Sequence, residues 1–182
     1  MTTTKTHLKL THRPAEPGDI ERICTFALNA EELFHLYPKA DYPLTPNQLH
    51  RAMRERTSNT VVLAGDEVAA FANLNKWEPN GVCAIGNVCV ASEYRGRGIG
   101  TYLIKAMINA ARHDYNASSI EVSCFETNPD ALDLYKGIGF EHSKEELRFD
   151  KTGKTTTLFS LRLDTPGWMK PDVRQNKSRE GL

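Results

Sequence analysis

The chain has 182 residues, 40% of them apolar, enough for one domain that buries roughly 70% of its unfolded surface without disulfide or metal staples. Its 23 basic and 23 acidic residues cancel, which argues against a broad basic nucleic-acid surface and against an acidic solvating tail. No apolar run nears the ~18 residues of a membrane span, and Met1–His7 lacks the apolar core of a signal peptide, so no membrane partner and a cytoplasmic location are expected. The four cysteines form no Cys-x-x-Cys pair and sit among apolar neighbours, and the six histidines are scattered. Reduced, buried thiols and no metal site are the expectation.

Residues 1–7 read as a flexible, Thr-rich end, and Leu8 to Arg13 alternates as a strand. Pro14 to Asp19 is a turn opening a helix with Ile20, Ile23, Phe26, Ala27 and Ala30 on one face. Glu31 to Tyr42 reads as the acidic, aromatic tail of that helix and a loop. Thr45-Pro46 is an N-cap with proline at the first helical position, starting a helix to Arg56. Thr60 to Ala64 and Val68 to Leu74 form a hairpin around Gly65-Asp66-Glu67. Cys83 to Val90 is a long strand in which Gly86 marks a bulge. Gly98 to Arg112 is a helix carrying Ile99, Leu103, Met107 and Ala110. Ile120 to Phe125 is a strand, and Asn128-Pro129 caps a helix carrying Leu134, Tyr135 and Ile138. Gly139-Phe140 returns to extended chain, and Thr155 to Leu163 is a last strand. The order is β-α-α-β-β-β-α-β-α-β-β without repeats, giving one domain over 8–163 and a polar tail over 164–182.

The segment from Gly86 to Thr101 carries the chemistry. A strand runs into Tyr94-Arg95-Gly96-Arg97-Gly98-Ile99-Gly100, which opens an amphipathic helix. Glycines let a backbone approach an anion closely, and the free N–H groups of a first helical turn favour negative charge. From Tyr94 to His113 there are four basic residues and no acidic one. The dinucleotide fingerprint fails because Thr101 or Leu103 stands where a glycine is needed. A Walker loop ending at Gly153-Lys154-Thr155 fails at Arg148.

What fits is Arg-x-x-Gly-x-Gly at Arg95–Gly100, followed by Asn128-x6-Tyr135-x3-Gly139-Phe140. On these motifs residues 8–163 resemble the GNAT family of N-acetyltransferases. The resemblance implies an α+β fold: a central, mostly antiparallel twisted sheet, splayed at the acetyl-CoA site and flanked by about four helices. It implies that Arg95, Gly96, Arg97, Gly98, Ile99, Gly100 and Thr101 hold the diphosphate of acetyl-CoA. Val88, Cys89 and Val90 then pair with its pantetheine arm, Asn128 contacts that arm, and Tyr135 protonates the departing thiolate. The reaction is transfer of an acetyl group to a primary amine of a small molecule, peptide or protein by direct attack, with no metal and no covalent intermediate. An alkyl ammonium with a pKa of about 10.4 must first lose a proton. Some family members place a glutamate five residues before the asparagine, where this chain has Ser123; Glu121 on the same strand face, acting directly or through water, is one substitute candidate, and ordered water alone or Glu31 and Glu32 are others. Glu31, Glu32, Phe34, His35 and Tyr37 lie where the family's acceptor pocket often forms. Plain alternatives stand beside these roles: Asn128 as an N-cap, Tyr135 as core, and the domain as a non-catalytic acyl-CoA-binding module. No nucleic-acid partner is expected, and the last strand and tail offer a surface for a homodimer.

Overall fold

The computed structural model describes residues 9–165. The end read at 1–7, Leu8, and the tail beyond Thr165 lie outside those residues. One seven-stranded sheet has the order β1-β2-β3-β4-β5-β7-β6. Its strands are β1 (Leu10–Pro14), β2 (Thr57–Ala64), β3 (Glu67–Trp77), β4 (Val82–Val90), β5 (Ser119–Phe125), β6 (Glu141–Phe149) and β7 (Thr155–Asp164). Every neighbouring pair is antiparallel except β4 with β5. The expected fold class is therefore present. Asp164, read as the start of the tail, ends β7 instead.

Two cores sandwich the sheet. Helix α4 (Ile99–Tyr115) buries Ile99, Leu103, Ile104 and Met107 against Ala70, Ala72 and Leu74 of β3, and Tyr135 of helix α5 (Pro129–Ile138) joins this core. Helices α1 (Ile20–Cys24), α2 (Ala30–Leu36) and α3 (Pro46–Arg54) share the second core with Phe71 and Val61. Among the described residues five α-helices stand where about four were expected, because the first predicted helix breaks. Thr25 Oγ1 donates to the Arg22 carbonyl at 2.7 Å, and Asn29 turns extended so that its side chain accepts from Glu32 N at 2.9 Å. Such side-chain bonds compete with the helical ladder and favour a new cap.

β4 carries two irregularities. It pairs with β5 only over Val82–Ala84 against Ser119–Glu121, after which the strands part. Its register with β3 then jumps from Asn73–Gly86 to Phe71–Cys89, a bulge at Asn87–Val88. Gly86 was expected to supply the bend, but the left-handed residue is Asn87, with φ 50°. Gly86 is glycine for space: a Cβ there would lie 2.8 Å from Arg56 Nη1 and 2.9 Å from Asn75 Nδ2.

At the start of the fold Arg13 of β1 donates to both carboxylate oxygens of buried Asp19, at 2.6 and 2.9 Å, and Glu16 N donates to the same group at 2.8 Å. The Arg13 hydrogen bonds hold the Asp19 carboxyl below its ordinary range. A depressed folded pKa gives stability that is complete above the unfolded value and is lost as pH falls through the folded one. Asp19→Asn is therefore expected to lower stability at neutral pH and to flatten the loss between about pH 5 and pH 2. Urea unfolding of both proteins across that range checks this.

Candidate active site

Where β4 and β5 part, a cleft of 740 Å³ opens. One wall is β4 from Ile85 to Val90; the other is formed by Ser123, Cys124 and the first turns of α5. Gly96, Gly98, Ile99, Gly100 and Thr101 close one end, and His35 and Leu36 of α2 also line the cleft.

Val88, Cys89 and Val90 all line it, as expected. Cys89 and Val90 pair with Phe71 and Ala70 on one side, and no strand pairs with them on the other. The Cys89 thiol points back to the Phe71 carbonyl at 3.6 Å, and burial pushes its pKa up to about 12. A thiol so protonated is no nucleophile.

The glycine loop fits an anion. Gly96 and Gly98 have φ of +71° and +79°, and a Cβ on either would meet nothing within 4 Å, so the backbone lies open on that side. Gly98 caps α4 with no side-chain hydrogen bond, leaving the N–H groups of the first turn free for a ligand. Gly100 serves a different need: a Cβ there would lie 3.2 Å from Leu134 Cδ2, so its absence lets α5 approach α4.

The two loop arginines are placed differently. Arg95, expected to contact phosphate, lines the cleft, and its guanidinium grips both oxygens of Glu32, at 3.1 and 2.9 Å, and donates to the carbonyls of Val90 and Phe26. It bolts α2 to the loop. Arg97 is exposed, stands over the Tyr94 ring at 5.8 Å, and makes no ion pair among the described residues. Of the two, only Arg95 lines the cleft.

The acceptor residues are likewise redistributed. Glu32, its carboxyl held low by the Arg95 hydrogen bonds, is engaged rather than available. Glu31 is exposed and does not line the cleft. Phe34 stacks on Phe125 at 4.4 Å, and Tyr37 is buried under the Arg56 guanidinium at 5.6 Å; neither lines the cleft. Glu121 shares a face with Ser123 but sits where β4 and β5 are still paired, 3.9 Å from Arg162 and outside the lining. The structure thus gives Glu121 no place in the cleft lining. Ser123 does line the cleft.

Asn128 lines the cleft and also caps α5, accepting from Ala131 N at 3.3 Å. Tyr135 lines the cleft while 3% exposed, edge-on to Phe140 at 6.0 Å, and its hydroxyl makes no hydrogen bond among the described residues. Burial raises its pKa, so the phenol stays neutral. Among the described residues no cluster of three or more His, Cys, Asp or Glu could hold a metal, and no helix is long and apolar enough to cross a membrane.

Residues 24–140 match the profile of the Acetyltransferase (GNAT) family. An N-alpha-acetyltransferase of Sulfurisphaera tokodaii is 31% identical over 77 residues, covering 42% of this chain and 46% of that protein. The spermine/spermidine N(1)-acetyltransferase of Bacillus subtilis is 29% identical over 75 residues, covering 41% and 49%. The matches thus span about half the length of these curated relatives. The structure of spermidine N-acetyltransferase from Vibrio cholerae in complex with CoA and spermine superposes with a TM-score of 0.71 at 18% identity, covering 85% of this chain and 95% of that one.

Proposed function

The chain belongs to the GNAT acetyltransferase family, and from that premise we propose that it transfers an acetyl group from acetyl-CoA to a primary amine by direct attack. The observation that carries the reading is the parting of β4 from β5 beside the glycine loop, with Tyr135 lining the same cleft. The open N–H groups at the start of α4, beside the Arg95 that lines the same end of the cleft, would hold the diphosphate. The unpaired edge at Val88–Val90 would hold the pantetheine arm, aided by the Asn128 amide. The Tyr135 hydroxyl, neutral and unshared, would donate to the leaving sulfur. Bound acetyl-CoA supplies the activated acyl group.

We infer that the cleft takes a cationic amine, for which it carries acidic groups. Near α2, Glu32 is spent on Arg95 and Glu31 stands outside the lining, while Asp130 and Asp133 of α5 line the cleft with no ion pair among the described residues. A thiol-release assay with acetyl-CoA against amino acids, peptides, aminoglycosides and polyamines tests this. Release of thiol with at least one of these amines is expected. A thermal shift with acetyl-CoA but no release from any amine would instead identify a non-catalytic acyl-CoA-binding module.

A further inference from the structure

Amine acetylation needs a base, and the cleft holds a group suited to that task. We propose that His35 takes the proton from the substrate ammonium. This rests on the acetyl-transfer reading and adds a residue to it.

His35 bridges the two arms of the opened sheet. The carbonyl of the next residue, Leu36, accepts from Asn87 Nδ2 of the β4 bulge at 2.8 Å. Its own Nε2 lies 2.7 Å from Thr127 Oγ1, just before Asn128, and its ring stacks 6.1 Å from that of Phe125 at the end of β5. Its side chain lines the cleft, and Nδ1 makes no hydrogen bond among the described residues. With Nε2–H donated to Thr127, the lone pair falls on Nδ1, the free nitrogen.

The surroundings favour the neutral ring. Burial lowers its pKa, against a smaller opposite effect of Glu31 and Glu32 on the same helix. Glu32 is itself paired with Arg95. From β4 the nearby Cys89 is a protonated thiol, and beyond β5 Glu126 turns away to accept from Thr157 N at 2.7 Å. The other carboxylates of the lining, Asp130 and Asp133, belong to α5, and the field of Asp130 reaches Arg95 at the glycine-loop end. His35 is then an uncharged base through neutral pH, as a proton acceptor requires.

The protons balance. The ammonium gives one proton to Nδ1; the freed lone pair forms the N–C bond to the acyl carbon as the C–S bond breaks. Tyr135 protonates the sulfur and is refilled by the second proton that the nitrogen sheds. The imidazolium releases the first proton to solvent.

The test is a pH profile of kcat/KM by thiol release for wild type, His35→Gln, His35→Asn, Thr127→Val and Thr127→Ser, alongside calorimetric acetyl-CoA affinity. Loss of a general base costs about 10²-fold or more. Both His35 variants are expected to lose at least that near neutral pH, to bind acetyl-CoA within about two-fold of wild type, and to lose the acid limb that wild type shows below the ordinary histidine value of about 6.5. Thr127→Val should lose less, and Thr127→Ser should recover, since only the tautomer is at stake. An active wild type whose limb persists in both folded His35 variants overturns the assignment alone. A wild type that binds acetyl-CoA yet acetylates no amine overturns the acetyl-transfer reading, and the base with it.

Discussion

Tyr135→Phe is expected to slow turnover by about 10²- to 10⁴-fold, the range for loss of a positioned proton donor, with acetyl-CoA affinity unchanged. The ring stays packed in the core against Phe140, so the fold keeps its support. The hydroxyl has no partner among the described residues, so its removal strands no other group. Melting temperature should therefore stay near wild type while kcat collapses.

A buried phenol is a weak acid, and its raised pKa at first argues against proton donation. The same burial acts on sulfur, however. Cys124, beside Tyr135, is pushed from 9.0 up to about 11 by desolvation. A thiolate forming in this environment is made more basic for the same reason, which narrows the gap between donor and acceptor. The hydroxyl thus strengthens its bond to sulfur as charge develops there, where stabilisation raises kcat rather than ground-state binding. A variant that loses affinity in step with kcat would show that the hydroxyl holds the donor and does not assist its departure.

Local chemistry makes much of this molecule readable. The caps Thr45 and Asn128 bond to N–H groups three residues on, and the glycine loop is a contiguous string. What escapes depends on groups distant in sequence. Arg95 reads as a phosphate ligand, and nothing near it in the chain announces its pairing with Glu32, 63 positions away. Glu121 has the right face by the two-residue period, but the period carries no information on where two strands separate. Asn87 is hard to read as the bend because glycine is the usual left-handed residue, and asparagine adopts that conformation when its side chain is held. His35 carries no motif; its only signal is a position among candidate acceptor residues, and Thr127 and Phe125 give it meaning only in space.

The holder of Asn87 is Arg56, and Arg56→Ala is expected to have the largest effect on the shape of the site. Arg56 Nη1 donates to Asn87 Oδ1 at 2.6 Å and to Asn73 Oδ1 at 3.1 Å. Asn73 Nδ2 in turn donates to Asn87 and Asn59, at 3.1 and 3.2 Å. Both Asn73 and Asn87 are buried, and no carboxylate pairs with Arg56 among the described residues. Its guanidinium, its pKa lowered by burial, rests on amide oxygens and the Tyr37 ring. Hydrogen bonds to charged groups are worth about 1.5–3 kcal/mol each, so losing two that share one network should destabilise the protein by about 2–4 kcal/mol. Asn87 would also lose the bond that helps to fix its left-handed backbone, a conformation costing about 1–2 kcal/mol in a residue with a Cβ. Relaxation of that residue toward regular pairing with β3 draws β4 straight and narrows the cleft. Acetyl-CoA affinity should fall at least ten-fold together with stability. Asn87→Gly separates the two contributions: it keeps the left-handed backbone while removing the side-chain bonds. If the bulge itself shapes the site, Asn87→Gly loses stability but retains most of the affinity, whereas Arg56→Ala loses both. Equal losses of affinity in the two variants would place the effect in the amide network rather than in the backbone turn.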